Sequence, residues 1–510
     1  MKKIMSALLL VAILISVLAG CSGSEKGVED NNAPRPDSMG GSDDTLEEIT
    51  GPSEFEPLEG VDYGGYKFRI MSPGPEIRGA SSTLAAINEI APEEETGDPI
   101  NDSVYRRNRE VEALYNIEIV PVFLSGERDA VAQSALRSIK ANDDAYDAIL
   151  TVGWNARTLL TDRNNTYNLL EIPNLDLSKS WWAQKAVSEL SIANQLHMVT
   201  GDISIFSPLT MNIFFMNKEM AENYELENAY DLVRQGKWTW DKLIEMCRQV
   251  SRDLDGDGAM TGSDMYGVFG EHASIRFAVQ GSGERITKKD ENDIPYLAFN
   301  TENTVKAIDY ILESILNKEI GIYINDYISQ YGGDGTRTYN EFGFPKFQNG
   351  EILFFYYVLG KALDWRALEW DFGMLPFPKL SEQQSEYYTS TALWNETHLF
   401  VPATNQDIDR TGAVLDAMGY YSQKYMRPAV IDVTVINKAV RDDDSAEMVN
   451  LMLDTRTYDL GVVYNWGDID GNVLFTSASS RTNVFASSYE KHESKIISEM
   501  EKTINSMLGE

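Results

Sequence analysis

From Tyr66 onward, short apolar runs alternate with segments whose apolar positions recur every three to four residues. Tyr66 to Met71 (YKFRIM), Ile117 to Phe123 (IEIVPVF) and Tyr146 to Val152 (YDAILTV) have the length and residue types of strands. Asn101 to Tyr115 and Asp129 to Lys140, lying between them, have helical spacing. This alternation predicts an α/β lobe with a mainly parallel sheet. Ligands of such sheets sit beyond the carboxyl ends of the strands, which here open into Ser72-Pro73-Gly74-Pro75-Glu76 and Gly153-Trp154-Asn155. A second set follows, with strands expected at Gln195–Ile203, Asn212–Met216, Glu351–Val358, Phe372–Leu375 and Thr397–Val401. Helices are expected at Asp241–Ser251, around Thr304–Asn317 and near Asp407–Gln423, and the last eighty residues or so read as mainly helical. No internal repeat is visible.

A chain of 510 residues exceeds one ordinary core, so two or more lobes are expected. Hydrophobic residues make up 43 %, enough to offset the ordering entropy of a folded body. With 44 basic and 79 acidic residues the formal charge is −35, which repels phosphate backbones and makes nucleic acid an unsuitable partner. Two cysteines, Cys21 and Cys247, cannot build a disulfide framework, and four scattered histidines offer little for zinc. No HExxH, GxSxG, Walker or dinucleotide motif is present, so no enzymatic activity is assigned. Gly332-Gly333-Asp334-Gly335 lacks the Lys-Ser/Thr ending of a phosphate cradle and reads as a mobile loop.

Lys2 and Lys3 followed by an apolar stretch from Ala7 to Ala19 have the layout of an export signal, too short for a permanent span. Leu18-Ala19-Gly20-Cys21 resembles the bacterial lipobox, which implies cleavage before Cys21 and a lipid on its thiol, anchoring the chain to the outer face of the cell membrane. Residues 22 to about 62 are rich in Ser, Gly, Pro, Asp and Glu and read as a solvated tether with an end-to-end distance of about 35 Å.

The clearest local motif is Asp253-Leu254-Asp255-Gly256-Asp257-Gly258-Ala259-Met260-Thr261-Gly262-Ser263-Asp264. It fits a calcium loop, with carboxylates at positions 1, 3 and 5, glycine at 6, the Ala259 carbonyl at 7, Thr261 at 9 and an acid at 12. Calcium is a hard cation that takes six to eight oxygens, and alternate residues of a tight loop point theirs inward. Asp264 departs from the usual Glu, and no second loop pairs with this one. A structural Ca²⁺ of the weak extracellular grade, about 10⁻⁴ to 10⁻³ M, is expected.

Four phrases occur in an order that resembles extracellular solute-binding lipoproteins of carbohydrate ABC importers. They are Phe215-Met216-Asn217-Lys218-Glu219, Gly236-Lys237-Trp238-Thr239-Trp240-Asp241-Lys242-Leu243, Asn349-Gly350-Glu351 and Phe372-Gly373-Met374-Leu375-Pro376-Phe377-Pro378-Lys379. The resemblance spans nearly the whole mature length. It implies an α/β, two-lobed, periplasmic-binding-protein-like (type II) fold with a hinge and an interlobe ligand cleft. The organisation expected from it is a signal peptide at 1–20, the lipidated cysteine and linker at 21–62, and the first part of an N-terminal lobe at 63–207. A second lobe with the calcium-type loop follows at 208–376, a return to the first lobe at 377–430, and a helical segment packing on the second lobe at 431–510. Implied partners are a carbohydrate, the permease subunits of an ABC transporter, and the membrane through the lipid.

Sugar rings present apolar C–H faces, so aromatic platforms with polar rims should line the cleft. Candidates are Trp154 at a strand end, Trp394 beside Asn395 and Glu396, Tyr357 with its neighbour Tyr356, Trp365, and Glu76 in the first loop. Asp202, in Thr200-Gly201-Asp202-Ile203, is placed either on sugar hydroxyls or as a turn residue. Phe206 to Thr210 is expected to be the hinge. Trp238 and Trp240 are assigned to packing. A surface polysaccharide hydrolase and an adhesion or sensory lipoprotein remain the alternatives.

Overall fold

The computed structural model describes residues 54–74, 84, 87–124, 130–431 and 443–509. The signal, Cys21 and Glu76 therefore lie outside the described residues. The chain starts with β1 (Tyr66–Pro73), α1 (Pro99–Tyr115), β2 (Ile117–Leu124), α2 (Ala130–Lys140) and β3 (Ala148–Val152). Helix α1 begins where Asp98 accepts hydrogen bonds from the Ile100 and Asn101 amides and Pro99 fills the first turn. It ends at Asn116 in the left-handed conformation, and buries Ile100, Val104, Val111 and Tyr115 along one stripe. Strand β1 runs parallel to both β2 and β3, as the alternation predicts.

After a long irregular passage the chain enters β4 (Asn212–Asn217), α3 (Trp240–Val250), β5 (Tyr266–Gly270) and α4 (Ser274–Gly281). Next come the hairpin β6 (Thr287–Lys289) and β7 (Pro295–Leu297), α5 (Glu302–Glu313), β8 (Gly321–Tyr323), β9 (Ile352–Val358) and β10 (Phe372–Leu375). These build a second sheet in the order β10-β4-β9-β5-β8, parallel among β9, β5 and β8 and antiparallel at the β10 side. Its centre is an apolar block in which β9 is buried at every position but Tyr357. Trp238 and Trp240 are fully buried in this lobe, against Phe354 and Phe214. Gly267 of β5 lies so close to α3 that a Cβ there would come within 2.2 Å of the Cys247 Cβ.

The chain then passes through β11 (Thr389–Ser390) to β12 (Thr397–Phe400), which joins the first sheet antiparallel to β3 and gives the order β12-β3-β1-β2. Helix α6 (Ile408–Tyr421) packs on α1. The tail holds α7 (Asp443–Asp454), β13 (Arg456–Thr457) and α8 (Phe485–Leu508). Helix α7 covers β10, and Phe485 and Tyr489 of α8 pack on Phe299 of the second lobe. The tail also reaches the first lobe, because the Met507 carbonyl accepts from Arg163 and Gln195.

The expected strand at Gln195–Ile203 does not form. Only single bridges occur there, Ile192 to Gln195, Val199 to Leu399 and Trp182 to Gly201, because the segment meets a different neighbour at each step and no one strand runs beside it. It leads into the single helical turn Phe206–Leu209, the expected hinge. Three stretches pass between the sheets side by side. The Ala392 amide donates to the Thr210 carbonyl, and Thr389 of β11 pairs with Arg456 of β13. Between them lies the buried Glu396, which accepts from Ser207, Tyr458 and Thr391.

Candidate functional site

A cavity of about 500 Å³ opens between the two sheets at the carboxyl ends of β3, β5 and β9, the location open α/β sheets use for ligands. The first lobe contributes Trp154 and Asn155, in the helical turn directly after β3, together with Trp394 and Asn395. These two stretches are tied by backbone bonds from Trp154 to Leu393 and from Gly153 to Glu396, both 2.9 Å. Residue 153 must be glycine for this approach, since a Cβ would meet Leu393 Cδ2 at 2.9 Å and the His398 ring at 3.0 Å. The Arg157 guanidinium lies 5.1 Å from the Trp154 ring centroid but lines no part of the cavity.

The second lobe contributes Glu271, His272 and Arg276, where β5 runs into α4, and Tyr357 at the end of β9. Ser274 Oγ accepts from the Glu271 amide, and Asn325 Oδ1 from the His272 amide, which fixes this turn. The Asn325 side-chain amide donates to His272 Nδ1 at 2.9 Å, so the neutral ring carries its proton on Nε2. Tyr357 packs on Tyr339 at 5.3 Å and edge-on to Phe344 at 5.1 Å. Gly335 and Thr336, from the glycine-rich loop, close one side.

The tail completes the wall with Asp470 and Phe475. Arg276 Nη1 is ion-paired with Asp470 Oδ2, both side chains being buried, and its guanidinium lies over Phe277 at 4.9 Å and Phe475 at 5.7 Å. Burial pushes the Asp470 carboxyl above the usual carboxylate range, against the pull of Arg276. Burial also raises Glu271, which His272 and Arg276 only partly offset. Buried polar atoms normally have partners. Here Asn155 Nδ2, Arg276 Nε, the Tyr339 hydroxyl, Asn395 Oδ1 and Asp470 Oδ1, all on residues of the cavity wall, have none within the protein.

Of the residues singled out from sequence, the structure brings Trp154, Tyr357 and Trp394 together around one cavity. Trp365 does not reach it: the side chain is 1 % exposed and wedged among Phe215, Phe347 and Phe355, behind the wall. Tyr356 is likewise buried and donates to Asn212 Oδ1 at 3.1 Å. Asp202 sits in a separate crevice, accepting from Gln423 at 3.2 Å and facing Arg427 at 3.8 Å, so the turn placement holds for it and the sugar placement does not. Burial lifts its carboxyl to about 6. Glu271, His272 and Arg276 were missed, although the rule on strand ends applied at β5 would have found the first two. Asp470 and Phe475 come from a helical tail that carries no local signal.

The loop 253–264 hangs between α3 and β5, closed at its base by the Arg252 and Met265 bridge. The carboxylates of Asp253, Asp255 and Asp257 lie within 4.8 Å of one another and are exposed. Asp253 accepts from the Gly256 and Gly258 amides, and Asp257 from Ala259, which turns the loop around them. Gly256 and Gly258 have φ of 73° and 86°, a conformation that favours glycine. Asp264 is fully buried and accepts from the Leu254 and Thr261 amides at 2.9 and 2.6 Å. This hard-oxygen donor set fits a calcium ion.

Among the described residues no helix is long and apolar enough to cross a membrane. No protein-family model matches the chain, and no curated protein matches it in sequence. Solved structures do. The galacto-N-biose-/lacto-N-biose I-binding protein of the ABC transporter from Bifidobacterium longum, in complex with lacto-N-biose, is 11 % identical with a TM-score of 0.56. That match covers 87 % of this chain and 98 % of the other. A cyclo/maltodextrin-binding protein complexed with maltotetraose is 12 % identical at TM-score 0.52, covering 89 % and 99 %. UgpB from Mycobacterium tuberculosis, in complex with glycerophosphocholine, is 14 % identical at TM-score 0.52, covering 86 % and 99 %. At these identities the likeness is one of architecture, and the chain has the two-lobed α/β fold of ABC-transporter solute-binding proteins.

Proposed function

We propose that this chain is a receptor that captures a carbohydrate between its lobes and hands it, chemically unaltered, to the permease of an ABC transporter. The observation that carries this reading is the cleft itself, where Trp154, Trp394, Tyr357 and Phe475 surround donors and acceptors that lack protein partners. Apolar faces with a few unsatisfied polar atoms suit a sugar ring, whose two sides are C–H and whose edge is hydroxyl. A ligand touching both lobes favours closure by whatever extra contact it makes in the closed form, and a permease can read that difference. The sequence supports an outward address: a signal at 1–20 and lipid on Cys21 would hold the body near the membrane, through a tether shorter than the expected 22–62 because Phe55 already stacks on Tyr420 and Leu58 and Val61 pack on the core. Catalysis is the weaker reading, because glycoside hydrolysis needs two available carboxyl groups and Asp470 is taken up by Arg276.

The loop 253–264 is assigned a structural Ca²⁺ held by Asp253, Asp255, Asp257 and the Ala259 carbonyl, with Thr261 and Asp264 completing the turn. Thermal melting of the purified protein with a panel of oligosaccharides, in calcium and in chelator, tests both assignments. A binding sugar should raise Tm and be recovered intact; cleavage products would favour the hydrolase. Chelation should lower Tm, and an unchanged curve would count against the ion.

A further inference from the structure

The balance of polar atoms in the cleft says which glycans it can hold. Of the five unpartnered wall atoms, Asn155 Nδ2 and Arg276 Nε donate, Asn395 Oδ1 and Asp470 Oδ1 accept, and the Tyr339 hydroxyl does both. A hydroxyl group donates and accepts, so a run of ring hydroxyls can satisfy both kinds. Carboxylates, sulfates and phosphate diesters only accept. Such a group could meet the donors but would leave both acceptors unsatisfied and bring a negative charge beside the Asp470 carboxyl.

Charge points the same way. Among the described wall residues the guanidinium of Arg276 is the one permanent cation, and it is already paired with Asp470. Glu271 adds a second carboxyl to the same wall and offers an incoming anion no counter-charge in either protonation state. Desolvating an anion without a free partner is unfavourable. A unit negative charge ~4 Å from an ionised carboxylate at an effective dielectric of ~20 is disfavoured by roughly 1,000-fold.

We infer that the cleft selects uncharged, hydroxyl-rich glycans and turns away uronates and sulfated sugars. This rests on the carbohydrate reading above and narrows it. The test is a glycan array probed with the full-length protein, printed with malto-, xylo- and cello-oligosaccharides, oligogalacturonates and sulfated glycans. Retention confined to uncharged glycans supports the inference. Retention of a uronate or sulfated glycan overturns it while leaving the receptor reading intact. Retention of nothing overturns both. Glu271→Gln supplies the second arm: the ratio of anionic to neutral glycan affinity should rise by about 10-fold or more, since one of the two wall carboxyls is gone. A variant that folds with wild-type melting yet shows no such gain removes Glu271 from the selection.

Discussion

Two tryptophans separate what a side chain does for the ligand from what it does for the fold. Trp394 stands on the cavity wall, partly buried, with an edge-on ring contact to Phe277 at 6.2 Å, whereas Trp365 is enclosed by phenylalanines on several sides. Trp394→Ala should lower glycan affinity by roughly 10- to 100-fold, the loss of one aromatic platform, with little change in the urea midpoint. Trp365→Ala should cost about 3–5 kcal/mol of stability by opening a cavity in the second lobe. Calorimetric titration beside urea unfolding distinguishes them, and the opposite pattern would reverse the two assignments. From sequence the two looked alike. Trp365 follows one strand of the second half and Trp394 precedes another, and only the fact that β9 continues into a buried turn at Leu359–Trp365 sends one of them inward. Local pattern records how apolar a residue is; which side of a sheet its turn folds to depends on partners far along the chain.

At the level of elements the sequence was read well wherever one segment carries its own periodicity. Asp98 and Pro99 announce α1, Thr239 caps α3 by accepting from the Lys242 amide, and the unbroken apolar run of β9 reports burial on both faces. It was misread at Gln195–Ile203, where alternation is present but no ladder exists to use it. That passage is held by scattered backbone bonds, to Leu169, Leu399, Ala183 and Trp181, and side chains support it and the segment it crosses. Asp416 of α6 accepts from the indole nitrogens of Trp181 and Trp182 at 3.1 and 3.5 Å, and Asp202 from Gln423 at 3.2 Å. Burial lifts both carboxyls to about 6, against about 3.9 in an unfolded chain. A raised folded-state value means that the native form binds the proton more tightly. The stability it contributes is complete below pH ~4 and is lost as pH rises through 6. Two units correspond to roughly 2–3 kcal/mol for each group, taken as an order of magnitude. Asp202→Asn with Asp416→Asn keeps an oxygen to accept each hydrogen bond and removes the titration. Urea unfolding at pH 4, 5, 6 and 7 should therefore give a flatter profile for the double variant than for the parent, with the gain in stability largest at pH 7. Parallel profiles would show that neither carboxyl is desolvated as the packing implies.

Across the whole molecule, the two ends of β5 serve different purposes. The acidic loop 253–264 precedes the strand and the cleft residues Glu271 and His272 follow it, so the strand's five residues, about 17 Å at the usual rise, stand between ion and ligand. An ion at one end and a sugar at the other share no side chain. On the receptor reading proposed above, closure would bend the three stretches beside Glu396, whose carboxylate is held by hydroxyls from Ser207, Thr391 and Tyr458. This buried knot ties all three stretches together and should stay rigid while the chain bends on either side of it. Solution scattering should then show a smaller radius of gyration when a retained oligosaccharide is added, to the same extent in calcium and in chelator at a temperature where both forms are folded. Glycan affinity should likewise be independent of calcium, although Tm is not. If chelation abolished the compaction or weakened the sugar by 10-fold, strand β5 would be transmitting the state of the loop to the cleft, and the ion would be part of the receptor's switch instead of a brace for its second lobe.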